Sequence, residues 1–348
     1  MLILAPKLNL RIRGVGTAVP KMTPLSNFDI LKLNPETRDK KDAFLQEFAD
    51  RIERGFGPRT RYVSHLPTQE PAQLQKRGSV NSETLAFEAA ALAVMGGKPS
   101  SIVLGSTTSA RYTGSQAAAV GGKLKVEAPT LEVKSGCSTS IAALQTAFSQ
   151  IQYGYPDVLV VGAETLSRVI NPYIKETWFG FGDGAAAVWF EKDESNPQIQ
   201  IEKTCFSSRG ELVDLYTVPG QLPPNLEDWS ANKYFMSGDA QEMKDHALEQ
   251  YSRMIELLLP TEADKKSVRV FIPHQVNLGL IEEVKKRVQF EPELTVWDAR
   301  DFGNLGGASI LFSIAKSIEE KRFRSGDRIL LASVGGGLSF GAQLWKIL

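Results

Sequence analysis

Three short segments of this 348-residue sequence carry side chains suited to acyl chemistry. VKSGCSTS places Cys137 after a Gly turn at the start of a helical run. Helix N-termini present unbonded N–H groups and a partial positive charge, so this position favours a thiolate. FIPHQVN releases His274 from the end of a strand, where α/β proteins commonly bind ligands. DFGNLGGAS carries Asn304 through a Gly-rich turn into a helix beginning near Gly307. Singly, each has an ordinary reading: a small packing cysteine, a satisfied histidine, a turn asparagine. Together they define a reaction. Cys137 would attack an acyl thioester and hold the acyl group covalently. His274 and Asn304 would donate to the thioester oxygen of a second substrate, stabilising the enolate left by its decarboxylation. Backbone N–H groups near Cys137 and in the Val334–Gly337 turn would hold the tetrahedral intermediate.

The elements that must position these groups occur twice. DVLVVGAE (Asp157 to Glu164) and DRILLASV (Asp327 to Val334) are apolar, β-branched runs that read as buried strands. Each precedes a Gly-introduced strand, GAAAVWFE from Gly184 and GAQLWKIL from Gly341. Each follows a helix that opens with small residues, Ser138 to Gln152 and Gly307 to Lys321. In the second, Ile310, Ile314 and Ile318 recur at helical spacing. Upstream lie two strand-then-loop segments, SIVLGSTTS from Ser101 and VRVFIPHQVN from Val268. Strands apolar on both faces require helices on both faces. Two such units in tandem predict an α/β, five-layered α/β/α/β/α body with pseudo-twofold symmetry, rather than a single doubly wound sheet. The expected halves are residues 1–195, carrying the cysteine, and 196–348, carrying the histidine and asparagine. A charged, partly helical cap is expected over about 26–61. The Pro-rich stretch from Asn196 to Trp229 reads as connector and loop.

Composition narrows the function class. Forty Lys and Arg balance forty Asp and Glu, so no net field favours nucleic acid or an anionic membrane. No run approaches the roughly 18 apolar residues of a membrane span. The N-terminus alternates like a strand and lacks a signal peptide's basic start and cleavage site, so a cytoplasmic location is expected. Two cysteines and three histidines argue against a disulfide framework or a zinc cluster, and no metal or cofactor is expected. Cys205 and His246 read as structural, and His65 as an exposed turn residue.

SGCSTS, IPHQVN and FGNLGGAS, in this order, resemble the Cys-His-Asn triad of β-ketoacyl synthase III enzymes. GFGDGAAAVWFE (Gly180 to Glu191) is similar to that family's turn and strand, and SVGGGLSFGAQLWKI (Ser333 to Ile347) to its C-terminal strand pair. The likeness runs from about Arg11 to the end. It implies a thiolase-type fold, a homodimer formed across the first half, and acyl-CoA or acyl-carrier-protein thioesters with a malonyl-type extender. Cys137 would be the acylated nucleophile, His274 and Asn304 would assist decarboxylation, and Gly335, Gly336 and Gly337 would flank the acyl site. Acetyl-CoA-primed members commonly stack the adenine on a Trp before an RTGI-like turn. Here RIERGFGPRTR places Arg51 there, with Arg51 or Arg54 available to a phosphate. Where the family often carries a carrier-docking Arg this chain has Gly279, leaving Lys285, Lys286 and Arg287 as a displaced docking patch. Thr107 to Tyr112 follows a strand and is a candidate acyl-pocket stretch.

Three other readings stand beside this one. A thiolase would place its second cysteine where Ser333 stands. An ester- or amide-forming acyltransferase would need only the cysteine and histidine. A silent subunit of a heterodimer would be expected to lose the nucleophile. A dinucleotide site is excluded because SVGGGLSFG leads into a strand rather than a helix.

Overall fold

The computed structural model describes residues 1–66, 79–171, 173–174 and 176–348. Ten strands form the main path of the sheet, and the two-residue Ile3–Leu4 pairs alongside one of them. The first five are β1 (Leu8–Ala18), β2 (Ile102–Gly105), β3 (Thr130–Val133), β4 (Asp157–Thr165) and β5 (Asp183–Lys192). The second five are β6 (Ile199–Ser208), β7 (Val268–Pro273), β8 (Leu294–Thr295), β9 (Arg328–Gly335) and β10 (Ser339–Ile347). They lie in the spatial order β8-β7-β9-β10-β6-β1-β5-β4-β2-β3, so each set of five repeats one arrangement, third-second-fourth-fifth-first. Within each set the second strand is parallel to its two neighbours, and the other pairings are antiparallel. The sets join through antiparallel pairing of β1 with β6, Leu8 opposite Ile201, into one continuous sheet. This is the thiolase-type fold.

Alternation along the strands builds the layers, because successive side chains point to opposite faces. Val158 and Val160 of β4 face inward, as do Ile329 and Leu331 of β9. There they bury helices α5 (Thr139–Tyr153) and α8 (Ser309–Glu319) between the two half-sheets. Leu159 and Val161 face the other way, onto α3 (Ser82–Val94) and α4 (Gln116–Leu124). Leu330 and Ala332 likewise meet α6 (Ala240–Leu258) and α7 (Leu278–Val288). Both half-sheets are thus covered on both faces, which is why their core strands read as unbroken apolar runs.

Two cap helices are inserted between β1 and β2. They are α1 (Asn27–Leu33) and α2 (Asp42–Phe56), the latter burying Leu45, Ala49 and Ile52 on one face. The fully buried Arg61 ties them down, Nη2 donating to Asn27 Oδ1 at 2.6 Å and to the Phe179 carbonyl at 2.5 Å.

One expectation is overturned. The stretch read as connector from Asn196 contains β6, a ten-residue strand at the centre of the sheet. Prolines on either side marked the stretch as loop, but IQIEKTCFSS between them alternates and half-buries like a strand. Cys205 is therefore a buried strand residue opposite Ala342.

Candidate active site

Cys137 sits on the turn joining β3 to α5. Gly136 makes that turn possible twice over. Its φ is +52°, and a Cβ there would lie 2.1 Å from the Gly336 carbonyl oxygen. The β9–β10 turn presses back from the other side, since a Cβ on Gly335 would lie 2.3 Å from the Cys137 nitrogen. Side chains lock the two turns together. Ser333 Oγ donates to the Cys137 carbonyl at 3.0 Å, and Ser138 Oγ to the Ser339 carbonyl at 2.8 Å. In this arrangement the backbone N–H groups of Gly336 and of Cys137 itself both reach the Cys137 sulfur.

The electrostatics run against the expectation of a stabilised thiolate. Burial pushes the Cys137 thiol up to about 12, the Glu164 carboxylate adds to the rise, and the two N–H groups pull it back only in part. Proximity to a helix N-terminus does not offset removal of the sulfur from water.

His274 follows β7, and its backbone N–H donates to the Ala332 carbonyl at 2.8 Å. The residue is 1% exposed, and among the described residues neither ring nitrogen has a hydrogen-bond partner. Burial lowers its pKa to about 3, so the imidazole is neutral. One nitrogen then carries a proton to donate and the other a lone pair to accept. Buried polar groups normally find partners within the protein. Two unsatisfied nitrogens on one ring therefore indicate a group held ready for something that binds.

Asn304 is fixed at both ends. Its N–H donates to the Gly180 carbonyl at 2.8 Å, and its carbonyl accepts from Gly182 N–H at 3.0 Å. Oδ1 accepts from Gly306 N–H at 2.8 Å and from Ser309 Oγ at 3.4 Å. With the oxygen so held, the amide presents Nδ2 as its free donor. Strand β9 links two of the three segments, Ala332 touching His274 and Ser333 touching Cys137. The third joins them at Gly307, where a Cβ would lie 3.1 Å from the Gly136 carbonyl.

Of the remaining sequence candidates, Thr107 lies against Glu164, the acid that acts on the Cys137 sulfur. Arg51 is exposed, its guanidinium 5.4 Å from the Phe48 ring centroid, and Arg54 is exposed. Thr107 commits its hydroxyl proton to Glu164, and Tyr112 is 75% exposed. Lys285 is buried with Nζ on Glu282 at 3.0 Å, so of the basic trio only Lys286 and Arg287 present their charge to solvent. His65, expected exposed, is half-buried, with its N–H on Ser167 Oγ at 3.1 Å.

Three residues near the sulfur escaped the sequence reading. Glu164, Tyr216 and Tyr251 all interact with Cys137 electrostatically. Glu164 carried a signal, being an acid that follows the unbroken apolar run Val158 to Ala163. The tyrosines had none, because their proximity arises only in three dimensions.

A doubled half-sheet with a cysteine on the turn before its central helix defines the thiolase-type condensing enzymes as a class. Comparison with known proteins agrees. Residues 131–210 match the 3-oxoacyl-[acyl-carrier-protein] synthase III family, and residues 260–347 match its C-terminal family. A β-ketoacyl-[acyl-carrier-protein] synthase III of Clostridium perfringens is 30% identical over 345 residues, 97% of this chain and 99% of that protein. One from Fusobacterium nucleatum is 28% identical over 341 residues, 96% and 98% of the two chains. Among solved structures, the 3-oxoacyl-(acyl carrier protein) synthase III (FabH) of Pseudomonas aeruginosa PAO1 superimposes with a TM-score of 0.81. It is 22% identical, and the match covers 98% of this chain and 99% of that one. The chain belongs to the FabH-like 3-oxoacyl-[acyl-carrier-protein] synthase III family.

Proposed function

We propose that this protein catalyses a decarboxylative Claisen condensation between an acyl group on Cys137 and a malonyl-type thioester carried by CoA or an acyl carrier protein. The observation that carries this reading is His274, a buried neutral imidazole with both nitrogens unpartnered, linked through β9 to a cysteine under two N–H groups.

In the first half-reaction the Cys137 sulfur attacks the acyl thioester carbonyl, and its proton leaves for the departing thiol. The N–H groups of Cys137 and Gly336 receive the developing oxyanion. In the second, the extender thioester accepts hydrogen bonds from Asn304 Nδ2 and the His274 N–H. Its carboxylate leaves as CO2, and the electron pair of that bond becomes an enolate on the held oxygen. The enolate carbon attacks the Cys137 thioester, the C–S bond breaks, and the β-ketoacyl thioester departs while the sulfur takes a proton from solvent. A neutral imidazole can do this work, since one of its ring nitrogens carries a proton to donate.

Asn304→Ala tests the assignment. It should load acyl groups like the parent yet release CO2 from a malonyl thioester about a hundredfold more slowly, the scale of one lost oxyanion donor. Normal CO2 release would remove the decarboxylative step. The proposal extends to a homodimer formed at β3. That strand ends the sheet with an unpaired edge and exposed Leu131, whereas the opposite end is the two-residue β8.

A further inference from the structure

Glu164 is fully buried, and the mechanism above gives it no part. Four donors converge on its carboxylate. Thr107 N–H and Oγ1 donate to Oε1 at 2.8 and 2.9 Å, and Thr108 N–H and Oγ1 donate to Oε2 at 3.0 and 2.5 Å. An ionised carboxylate accepts all four, whereas an amide would turn an NH2 toward two of them. The opposite side of the same group meets the asparagine turn. A Cβ on Gly307 would lie 2.7 Å from Glu164 Oε1 and 2.8 Å from Thr139 Cβ, so only glycine fits between the acid and the nucleophile helix. Gly307 is tied to that helix by Ser140 Oγ, which donates to its carbonyl, and Gly306 holds Asn304 Oδ1. One acid thus joins the Thr107–Thr108 loop, the Cys137 turn and the Asn304 turn. It also places negative charge beside the sulfur, which opposes ionisation of the nucleophile. A charge that hinders the first half-reaction and yet is bound by four donors has its use in the second.

We propose that Glu164 is a positioning residue for condensation, clamping the Thr107–Thr108 loop and the Gly306–Gly307 turn so that Asn304 keeps its amide aimed at the extender thioester. This rests on the condensing function proposed above. Tyr216 and Tyr251 also act on the sulfur electrostatically, and burial keeps both phenols neutral.

Glu164→Gln keeps the size and removes the charge. Two measurements on the full-length protein test it. Alkylation of Cys137 by iodoacetamide, followed by peptide mass, should shift to lower pH by about one unit, the effect of removing one nearby charge. Acyl loading should hold or quicken, while CO2 release from a malonyl thioester by the loaded enzyme should fall about tenfold or more, as misplacement of a reacting group would cause. An unchanged alkylation profile, or loading and decarboxylation falling in parallel, would overturn the proposal. Thr108→Val, which removes one donor to Oε2, should give the same split at smaller size and decides the matter if Glu164→Gln does not fold. A parent enzyme that loads no acyl group would refute the condensing reading instead, leaving the alkylation profile to judge Glu164.

Discussion

Cys137 and His274 rest as a neutral thiol and a neutral imidazole rather than as an ion pair, because burial opposes charge on either. The proton therefore leaves the sulfur during attack, not before it. The same burial gives stability a pH signature. The folded pKa of His274, about 3, lies below its ordinary 6.5, so between these values the unfolded chain binds the extra proton. Stability then rises with pH across that window, by about 1.4 kcal/mol per unit at most. Glu164 has the opposite sign. Its folded pKa, about 7, lies above 4.5, so the folded chain binds the extra proton and stability falls as pH rises through that range. The two slopes oppose each other where the windows overlap. Urea titrations at pH 4.5 and 6.5 should show the advantage of the parent over His274→Gln growing with pH, and its advantage over Glu164→Gln shrinking. Differences that stay flat for both variants would contradict these protonation states.

At the scale of elements, the site is made by turns held against one another. Gly335 has no room for a side chain because the Cys137 backbone occupies it. Gly335→Ala is expected to destabilise the fold by about 1–3 kcal/mol, as overpacking does, and to slow acyl loading far more than that loss of stability explains. Denaturant titration beside a loading time course separates the two effects, and loading at the parent rate would place the turn away from the nucleophile. The turns around Cys137, His274 and Asn304 were legible in sequence because glycines and prolines punctuate them at the ends of apolar runs. Strands β4 and β9 were legible for a related reason: buried on both faces, they carry unbroken apolar runs, Val158 to Ala163 and Ile329 to Ala332. β6 was not, since its alternating polar residues lie between proline-rich flanks that mimic a loop. The four-donor cradle of Glu164 was illegible too, because Thr107 and Thr108 lie more than fifty residues before it. The exposure of Arg51 likewise depends on packing, whereas the pairing of Lys285 with Glu282 is an i,i+3 contact that helical spacing already sets.

At the scale of the whole molecule, duplication explains why the proposed nucleophile and its proposed partners come from different halves. Side chains of β4 and β9 pack with the central helices α5 and α8 in one core shared by both halves. The halves differ at their outer edges, and this decides where a second copy can add. Light scattering should show two chains per particle, and Leu131→Lys at the β3 edge should shift the protein toward single chains. A parent that scatters as one chain would contradict the β3 dimer. The central claim is that Cys137 carries the acyl group, and intact-protein mass after brief incubation with a panel of acyl-CoA and acyl-carrier-protein thioesters tests it most directly. The account predicts a mass gain of one acyl group with at least one donor, absent in Cys137→Ala. No gain with any donor, or a gain that survives Cys137→Ala, would contradict it.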